Sequence, residues 1–473
     1  MSITDITFLF WFLPLALAAY YIARDTAREY VLLAVSLLFY ACGSLEYFAL
    51  FTGSLVVTVA LGRCMERAGE RTHLRRILLI AGILGSVSIL GYYKYADFAV
   101  SVWNGVTGAE NPLRGAALPL GISFFTFKAI SYLADIYRRR VRLTDSPVRD
   151  ALYLSLFTQI QSGPLSRYGD MSGGGAGSPP GLTGFSQGVW RFMLGFCKKV
   201  LLANVLSNIT TEVFAADPAS VSTAYVWLGS VSYSLQLYFD FSGYSDMAIG
   251  LTRMFGYDCP ENFDYPYMTE SVSRFWRRWH ITLGAWFRDY VYIPMGGSRV
   301  SSRGRVYLNL LVVWLLTGIW HGADWTFIVW GLGYFVLIAL ERAADLPGRF
   351  RTRIGRGLYR AFTLLFINFQ WVIFRAGSLR QAFGLLRRMV VPYHEPLSAS
   401  RTVFLLGDYG VFLAMAVLFC FPVAARIDEK LAARPAAHKT FRAAAAVLTA
   451  VLFIWAVSFV VAGRNNPFAY ANF

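Results

Sequence analysis

Seven stretches of this sequence stay apolar for 17 residues or more: 6–22, 46–62, 77–103, 304–320, 324–341, 403–421 and 443–463. A helix needs about 20 apolar residues to cross the hydrocarbon core of a bilayer. Inside lipid, only a helix or a closed barrel satisfies its own backbone groups. These stretches lack the in–out alternation of a barrel strand, so they predict membrane helices. The rest of the composition agrees. Only 15% of the 473 residues are charged, against about 25% in a soluble protein, and the mean hydropathy is +0.47. The expected fold is all-α and polytopic, with about 11–13 membrane helices of roughly 20 residues each. The spread comes from 222–256, long enough for two helices, and from the short or interrupted stretches 150–163 and 275–295. The start, MSITDI, has no basic region ahead of its apolar run, so it reads as a first span and not as a cleavable signal.

The formal charge is +16. In a soluble protein that would suggest nucleic acid. Here the basic residues gather in alternate loops, 24–28, 63–76, 138–143, 298–305, 341–360 and 425–439, while 104–115 and 389–400 carry few. The positive-inside rule places the first set in the cytoplasm. It leaves both the N-terminus and the tail GRNNPFAYANF outside, and no nucleic-acid partner is expected. The five cysteines (Cys42, Cys64, Cys197, Cys259 and Cys420) form no CxxC pair, so neither a disulfide framework nor a metal site is expected. The Gly/Ser/Pro-rich stretch 166–184 reads as a flexible loop.

Polar groups inside a membrane are costly and point to function. Of five histidines, His73, His394 and His438 fall in loops; His280 and His321 sit in Trp-rich, apolar contexts. His321 lies between two apolar helices in LLTGIWHGADWTFIVWG, beside Trp320, Asp324 and Trp325. Such a histidine serves either as a general base or as a core residue bonded to a carbonyl or to Asp324. His280 lies in SRFWRRWHITLGAWFRDYVYIPMGGSR, which holds five arginines and seven aromatic residues. At 100° per residue, Arg274, Arg277, Arg278 and Arg288 share one sector, and Phe275, Trp279, Leu283, Trp286 and Phe287 the opposite one. His280 falls at the flank. One helix or two short ones would then lie at the interface, the arginines either snorkelling to lipid phosphate or gripping the phosphates of a donor molecule. Lys128, Asp135, Asp240 and Asp246 are further charges in apolar surroundings. The acids are expected to pair with the arginines of 274–288.

Taken in order, LPLGISFFTFKAISYLADIYRRR, FTQIQSGPLSRY, LQLYFDFSGYSDMAIGLTRMFGY, ENFDYPYMTESVSRFWRRWHITLGAWFRDYVYIPMGGSR, TGIWHGADWTFIVWG and NFQWVIFRAGSL resemble the membrane-bound O-acyltransferase (MBOAT) family. The likeness is greatest to its bacterial alginate O-acetyltransferase (AlgI-like) branch, whose short aromatic ending the tail NPFAYANF also resembles. Gln161, Ser162 and Asp324 depart from that branch's pattern. The resemblance implies one MBOAT membrane domain over 1–473, with a central tunnel, a catalytic core at about 116–376, N-terminal helices in 1–103 and C-terminal helices in 403–463.

It further implies that His321 is the catalytic histidine and His280 the family's second motif position. The reaction implied is acyl transfer from a thioester to a hydroxyl, without a bound cofactor. Acetyl-CoA, or another acyl thioester, would be the co-substrate. Arg274, Arg277, Arg278, Arg288 and Trp279 are candidates for donor binding. Trp320, Asp324, Trp325, Asp240, Asp246 and Lys128 are candidates for tunnel lining or support. The acceptor would be an exopolysaccharide outside a bacterial inner membrane, or a periplasmic acetyltransferase partner that modifies one. Two other readings stand beside it: a DltB-like D-alanyl transferase fed by a carrier-protein thioester, and a polysaccharide exporter or flippase with structural histidines.

Overall fold

The computed structural model describes residues 1–115, 117–171, 178–300 and 302–463. The tail 464–473 and the centre of the Gly-rich loop, 172–177, lie outside the described residues. Among the described residues there are helices and no strands. Among the described residues, seven helices are long and apolar enough to cross a bilayer: Phe48–Arg67, Thr72–Thr107, Leu182–Ala215, Trp325–Ala344, Arg353–Arg375, Pro396–Phe419 and Pro435–Val461. The larger expected count differs for physical reasons. The first apolar run forms the shorter helix Phe8–Ile22. The stretch 222–256 forms one continuous helix, Thr223–Met254, of 32 residues rather than two, and it carries Ser, Gln and Asp side chains along its length.

The chain divides into two compact units, the first spanning Met1–Phe192 and Ala248–Pro260, the second Met193–Met247 and Glu261 onward. At the heart of the first unit is Ile122–Tyr137, with 14 of its 16 residues buried. Burial all round marks a helix enclosed by others. Its last carbonyls are satisfied by Arg75, whose Nη2 donates to Ile136 O at 2.7 Å and Tyr137 O at 3.1 Å, as basic side chains do at helix C-termini. Lys128, on the same helix, donates to Tyr153 O at 3.1 Å and to Gln159 Oε1 at 3.0 Å. Those acceptors lie where the helix Pro147–Ser155 breaks and the chain turns through Phe157–Ile160. Lys128 therefore supports irregular backbone that lipid could not satisfy.

In the second unit, N-cap residues start the helices where the sequence places them. Ser271, Asp324, Thr352, Ser378 and Glu395 each accept a backbone N–H of the first turn, the usual role of such side chains. The buried ion pair Lys199–Asp240, 2.6 Å and 1% exposed on both sides, holds the chain near 199 to the helix Thr223–Met254. Lys198 pairs with Asp246 at 2.6 Å. Asp240 and Asp246 thus take adjacent lysines, not the arginines of 274–288. Those lysines stand at a wide π-turn, Lys198–Ala203, which turns consecutive side chains toward separate partners.

Candidate active site

His321 is set by a helical hairpin in the second unit, Arg303–His321 followed by Trp325–Ala344. Gly318 and Gly331 let the two helices touch. A Cβ on Gly318 would stand 2.6 Å from the carbonyl oxygen of Phe327, and one on Gly331 2.5 Å from that of Trp314. Small residues are what allow backbones in a membrane to approach this closely. The first helix ends at His321 because Gly322 is extended; a side chain there would meet the Phe327 ring. Asp324 then opens the second helix, its Oδ1 accepting from Thr326 N–H at 2.9 Å. The acid considered as a partner for His321 is used as a helix cap. Trp325, the next residue, is half exposed.

The His321 imidazole is buried, 1% exposed. Its ring meets the edges or faces of Trp320, Trp330 and Phe374 at centroid distances of 4.8, 4.9 and 5.2 Å. Trp330 in turn stacks with Trp371 at 6.0 Å. These rings hold the imidazole in one orientation and keep bulk water from it.

His280 is reached by a segment that folds in pieces. Val272–Phe275 forms one helical turn, Ile281–Phe287 a short helix, and Arg288–Tyr292 a wide π-turn. Between the first two, His280 adopts the left-handed conformation, φ +46° and ψ +52°. That region is uncommon for residues other than glycine, although His is among the types enriched there. A single helical wheel across 274–288 therefore does not apply, and the pair of short helices is what forms. The sorting of side chains holds all the same. Phe275, Trp279, Leu283, Trp286 and Phe287 are buried, while Arg274, Arg278 and Arg288 are exposed by 61, 40 and 60%. Each of the three pairs with a nearby acid: Arg274 with Glu270 at 2.5 Å, Arg278 with Asp264 at 3.6 Å and Arg288 with Asp289 at 2.7 Å. Arg277 is exposed and makes no ion pair among the described residues.

Two residues that the sequence reading passed over hold this segment. Asn262 Oδ1 accepts from Thr282 Oγ1 at 2.8 Å and from Thr282 N–H at 3.3 Å, and it lies 3.2 Å from His280 Nδ1. The Thr282 amide can only donate, so the atom facing it is the oxygen. That oxygen carries no proton, hence Nδ1 of His280 does. The neutral ring then presents its lone pair at Nε2. Asn262 Nδ2 completes the clamp by donating to Ser245 Oγ at 3.1 Å. Glu341 does the second job. Its carboxylate accepts from Val272 N–H at 2.7 Å, Ser273 N–H at 2.9 Å and Tyr359 OH at 2.8 Å. It is 4% exposed and ties the turn before His280 to the helix after His321. The available signals were an Asn within ENFDYPY and one acid in the last turn of an apolar helix.

The two histidines share one neighbour. The Trp320 ring lies 6.0 Å from that of His280 and 4.8 Å from that of His321. Phe241 closes the other side of His280, edge to face at 4.6 Å. Of the candidate support residues, Trp320 thus stands at the site, Asp324 caps a helix beside it, and Asp240 and Asp246 brace the lysine turn. Lys128 braces the first unit.

The seven long apolar helices among the described residues define a multi-pass membrane protein, and its second unit holds two buried, aromatic-walled histidines. The chain belongs to the membrane-bound O-acyltransferase family, whose description matches residues 150–376, and it is an O-acyltransferase. It is 40% identical over 394 residues to the "Probable alginate O-acetylase AlgI" of Azotobacter vinelandii, covering 82% of this chain and 78% of that one. It is 35% identical over 417 residues to the "Peptidoglycan O-acetyltransferase" of Helicobacter pylori, covering 81% and 78%. The "Teichoic acid D-alanyltransferase" of Bacillus subtilis is 30% identical over 233 residues, covering 46% of this chain and 58% of that one. Both histidines, Trp320, Asn262 and Glu341 fall inside the matched residues 150–376.

Proposed function

We propose that this protein moves an acetyl group from a cytoplasmic thioester, acetyl-CoA, to the hydroxyls of an extracytoplasmic polysaccharide of the alginate kind. Delivery is direct or through a periplasmic acetyltransferase partner. On this reading the protein resides in a bacterial inner membrane with both termini periplasmic, and the core at about 116–376 carries the reaction. The observation that carries the proposal is His321: a buried imidazole locked by three aromatic rings at a helix junction that only glycines permit.

In the reaction, His321 takes the proton of the acceptor hydroxyl. The oxygen attacks the thioester carbonyl, the C–S bond breaks, and the departing thiolate takes up the proton from the imidazolium. A positioned base of this kind contributes about 10²–10⁴ in rate. The developing oxyanion needs a donor. Because His280 presents a lone pair at Nε2, it suits accepting a hydrogen bond from donor or acceptor. The indole N–H of Trp320, beside both imidazoles, suits the oxyanion. Arg277 and the exposed edges of Arg274, Arg278 and Arg288 offer guanidinium groups to the donor's phosphates, with Trp279 packed behind them.

Acetyl rather than D-alanyl transfer is favoured because the acetylating relatives align over about four fifths of the chain, the D-alanylating one over less than half. The test is the purified protein in proteoliposomes with radiolabelled acetyl-CoA on one side and acetyl-free alginate on the other. Label in the polymer, with or without an added periplasmic partner, is expected. Label arriving only from an acylated carrier protein would replace acetyl-CoA as the donor.

A further inference from the structure

The helix Arg353–Arg375 begins with three arginines on one stripe. Arg353, Arg356 and Arg360 follow one another at spacings of three and four, which places them side by side on the helix surface. The stripe goes on through Leu364, Ile367 and Asn368. Arg353 and Arg356 are exposed, and Arg360 is half-buried. None of the three guanidinium groups makes a hydrogen bond or an ion pair among the described residues. Other arginines of the second unit are matched to acids: Arg401 is forked onto Glu212 and Arg442 onto Asp428. Three neighbouring cations therefore stand on one side of a helix that is long and apolar enough to cross a bilayer.

The same stripe runs into a groove of about 420 Å³, lined by both Arg360 and Asn368. Eight residues separate the two, about 12 Å at 1.5 Å per residue. Trp227, Leu235, Leu364, Leu365, Val417 and Phe421 supply most of the wall. Leu365, Val417 and Phe421 are also exposed, so the groove opens among apolar side chains. Its deeper polar groups face one another. Asn368 Nδ2 donates to Ser234 Oγ at 2.8 Å, and Tyr267 OH donates to the Ser234 carbonyl at 2.6 Å. The groove thus offers hydrocarbon along its length and an unmatched positive charge where the arginine stripe enters it.

We propose that this groove is a binding site for an anionic phospholipid, with the phosphate on Arg360, Arg356 and Arg353 and one acyl chain lying along Leu364 toward Asn368. Basic pockets between membrane helices are where anionic head groups bind, and the charge and the apolar wall here complement the two ends of such a molecule. Free phosphate would leave the apolar wall uncovered. Coenzyme A matches the arginines but not the wall, because its pantetheine arm carries amides and a hydroxyl, and the donors Asn368 Nδ2 and Tyr267 OH are already engaged with Ser234. The site does not depend on the acyl-transfer reading.

The test uses the full-length protein in detergent with equal amounts of dioleoyl phosphatidylglycerol and dioleoyl phosphatidylcholine, which differ in head group alone. Retained lipid is read by native mass spectrometry, and each variant is first shown to be folded by its unfolding transition. The wild-type protein is expected to keep phosphatidylglycerol at least fivefold over phosphatidylcholine; one basic residue near an anionic lipid contributes about that factor. Arg360→Gln should lower the preference about fivefold, and Arg360→Lys should retain it. Arg71→Gln, at an exposed arginine of the first unit, should leave it unchanged. Leu364→Trp fills the groove and should expel phosphatidylglycerol although all three arginines remain. Equal retention of the two lipids by the wild-type protein, or a preference that survives Arg360→Gln, would overturn the proposal. Retention unchanged by Leu364→Trp would also overturn it, since the arginines would then act as a charged rim without the groove. Displacement of phosphatidylglycerol by coenzyme A would overturn it as well and assign the groove to the acyl donor.

Discussion

Asn262 and His280 meet through an oxygen and a ring nitrogen 3.2 Å apart, and that one oxygen also receives both donors of Thr282. The contact does two things at once. It sets the proton on Nδ1, and it holds His280 in a left-handed conformation that its neighbours do not share. Asn262→Leu keeps the bulk and removes the acceptor. Three buried donors, His280 Nδ1–H and the N–H and O–H of Thr282, then lose that acceptor, and each one left unsatisfied costs about 1–3 kcal/mol. The variant should lose most acyl transfer as well as stability. Asn262→Asp retains an acceptor and should keep more transfer than the leucine variant. Transfer assays with parallel denaturation curves check the ranking.

Glu341 is predicted to matter for the same segment from the opposite side. Glu341→Gln retains an acceptor oxygen but loses the charge that strengthens bonds to Val272 and Ser273; hydrogen bonds to charged groups are worth roughly 1.5–3 kcal/mol each. Glu341→Leu removes all of them and should lower transfer and stability more than Glu341→Gln. Protease sensitivity across 262–280 is the local readout.

The hairpin at His321 should be intolerant of any Cβ at its contact. Gly318→Ala and Gly331→Ala drive a methyl group into backbone oxygens at 2.6 and 2.5 Å. Overpacking of this kind costs about 1–3 kcal/mol. Gly53→Ala and Gly85→Ala, on helices where the added Cβ meets nothing within 4 Å, should be neutral or stabilising by up to roughly 1 kcal/mol. Thermal unfolding of the four variants in the same detergent separates the two groups.

Much of this was legible in the sequence because lipid imposes long apolar helices and makes each interior polar group conspicuous. His321, His280 and the division of 274–288 into exposed arginines and buried aromatics were visible that way. The break at His280 was not, since a helical wheel presumes the helix whose interruption matters. The partners of Asp240 and Asp246 were misjudged for a related reason: a wide turn at 198–203 redirects two consecutive lysines, and no periodicity signals it. Asn262 and Glu341 act through side chains and backbone groups distant in sequence, which only the folded chain brings within reach.

The Lys199–Asp240 pair offers a sharper test of burial. With both groups 1% exposed, deleting one charge strands the other. Asp240→Asn or Lys199→Met alone should destabilise by about 3–5 kcal/mol, whereas Lys199→Met combined with Asp240→Leu should recover much of that loss. A double-mutant cycle on unfolding midpoints measures it.

The central claim is that His321 is the base for acyl transfer. Its most direct test is transfer of radiolabelled acetyl groups by wild type, His321→Ala and His321→Gln, each shown to be folded by its unfolding transition. The account predicts losses of about 10²-fold or more in both variants, with the unfolding transition retained. Transfer by folded His321→Ala and His321→Gln at near wild-type rates would contradict it.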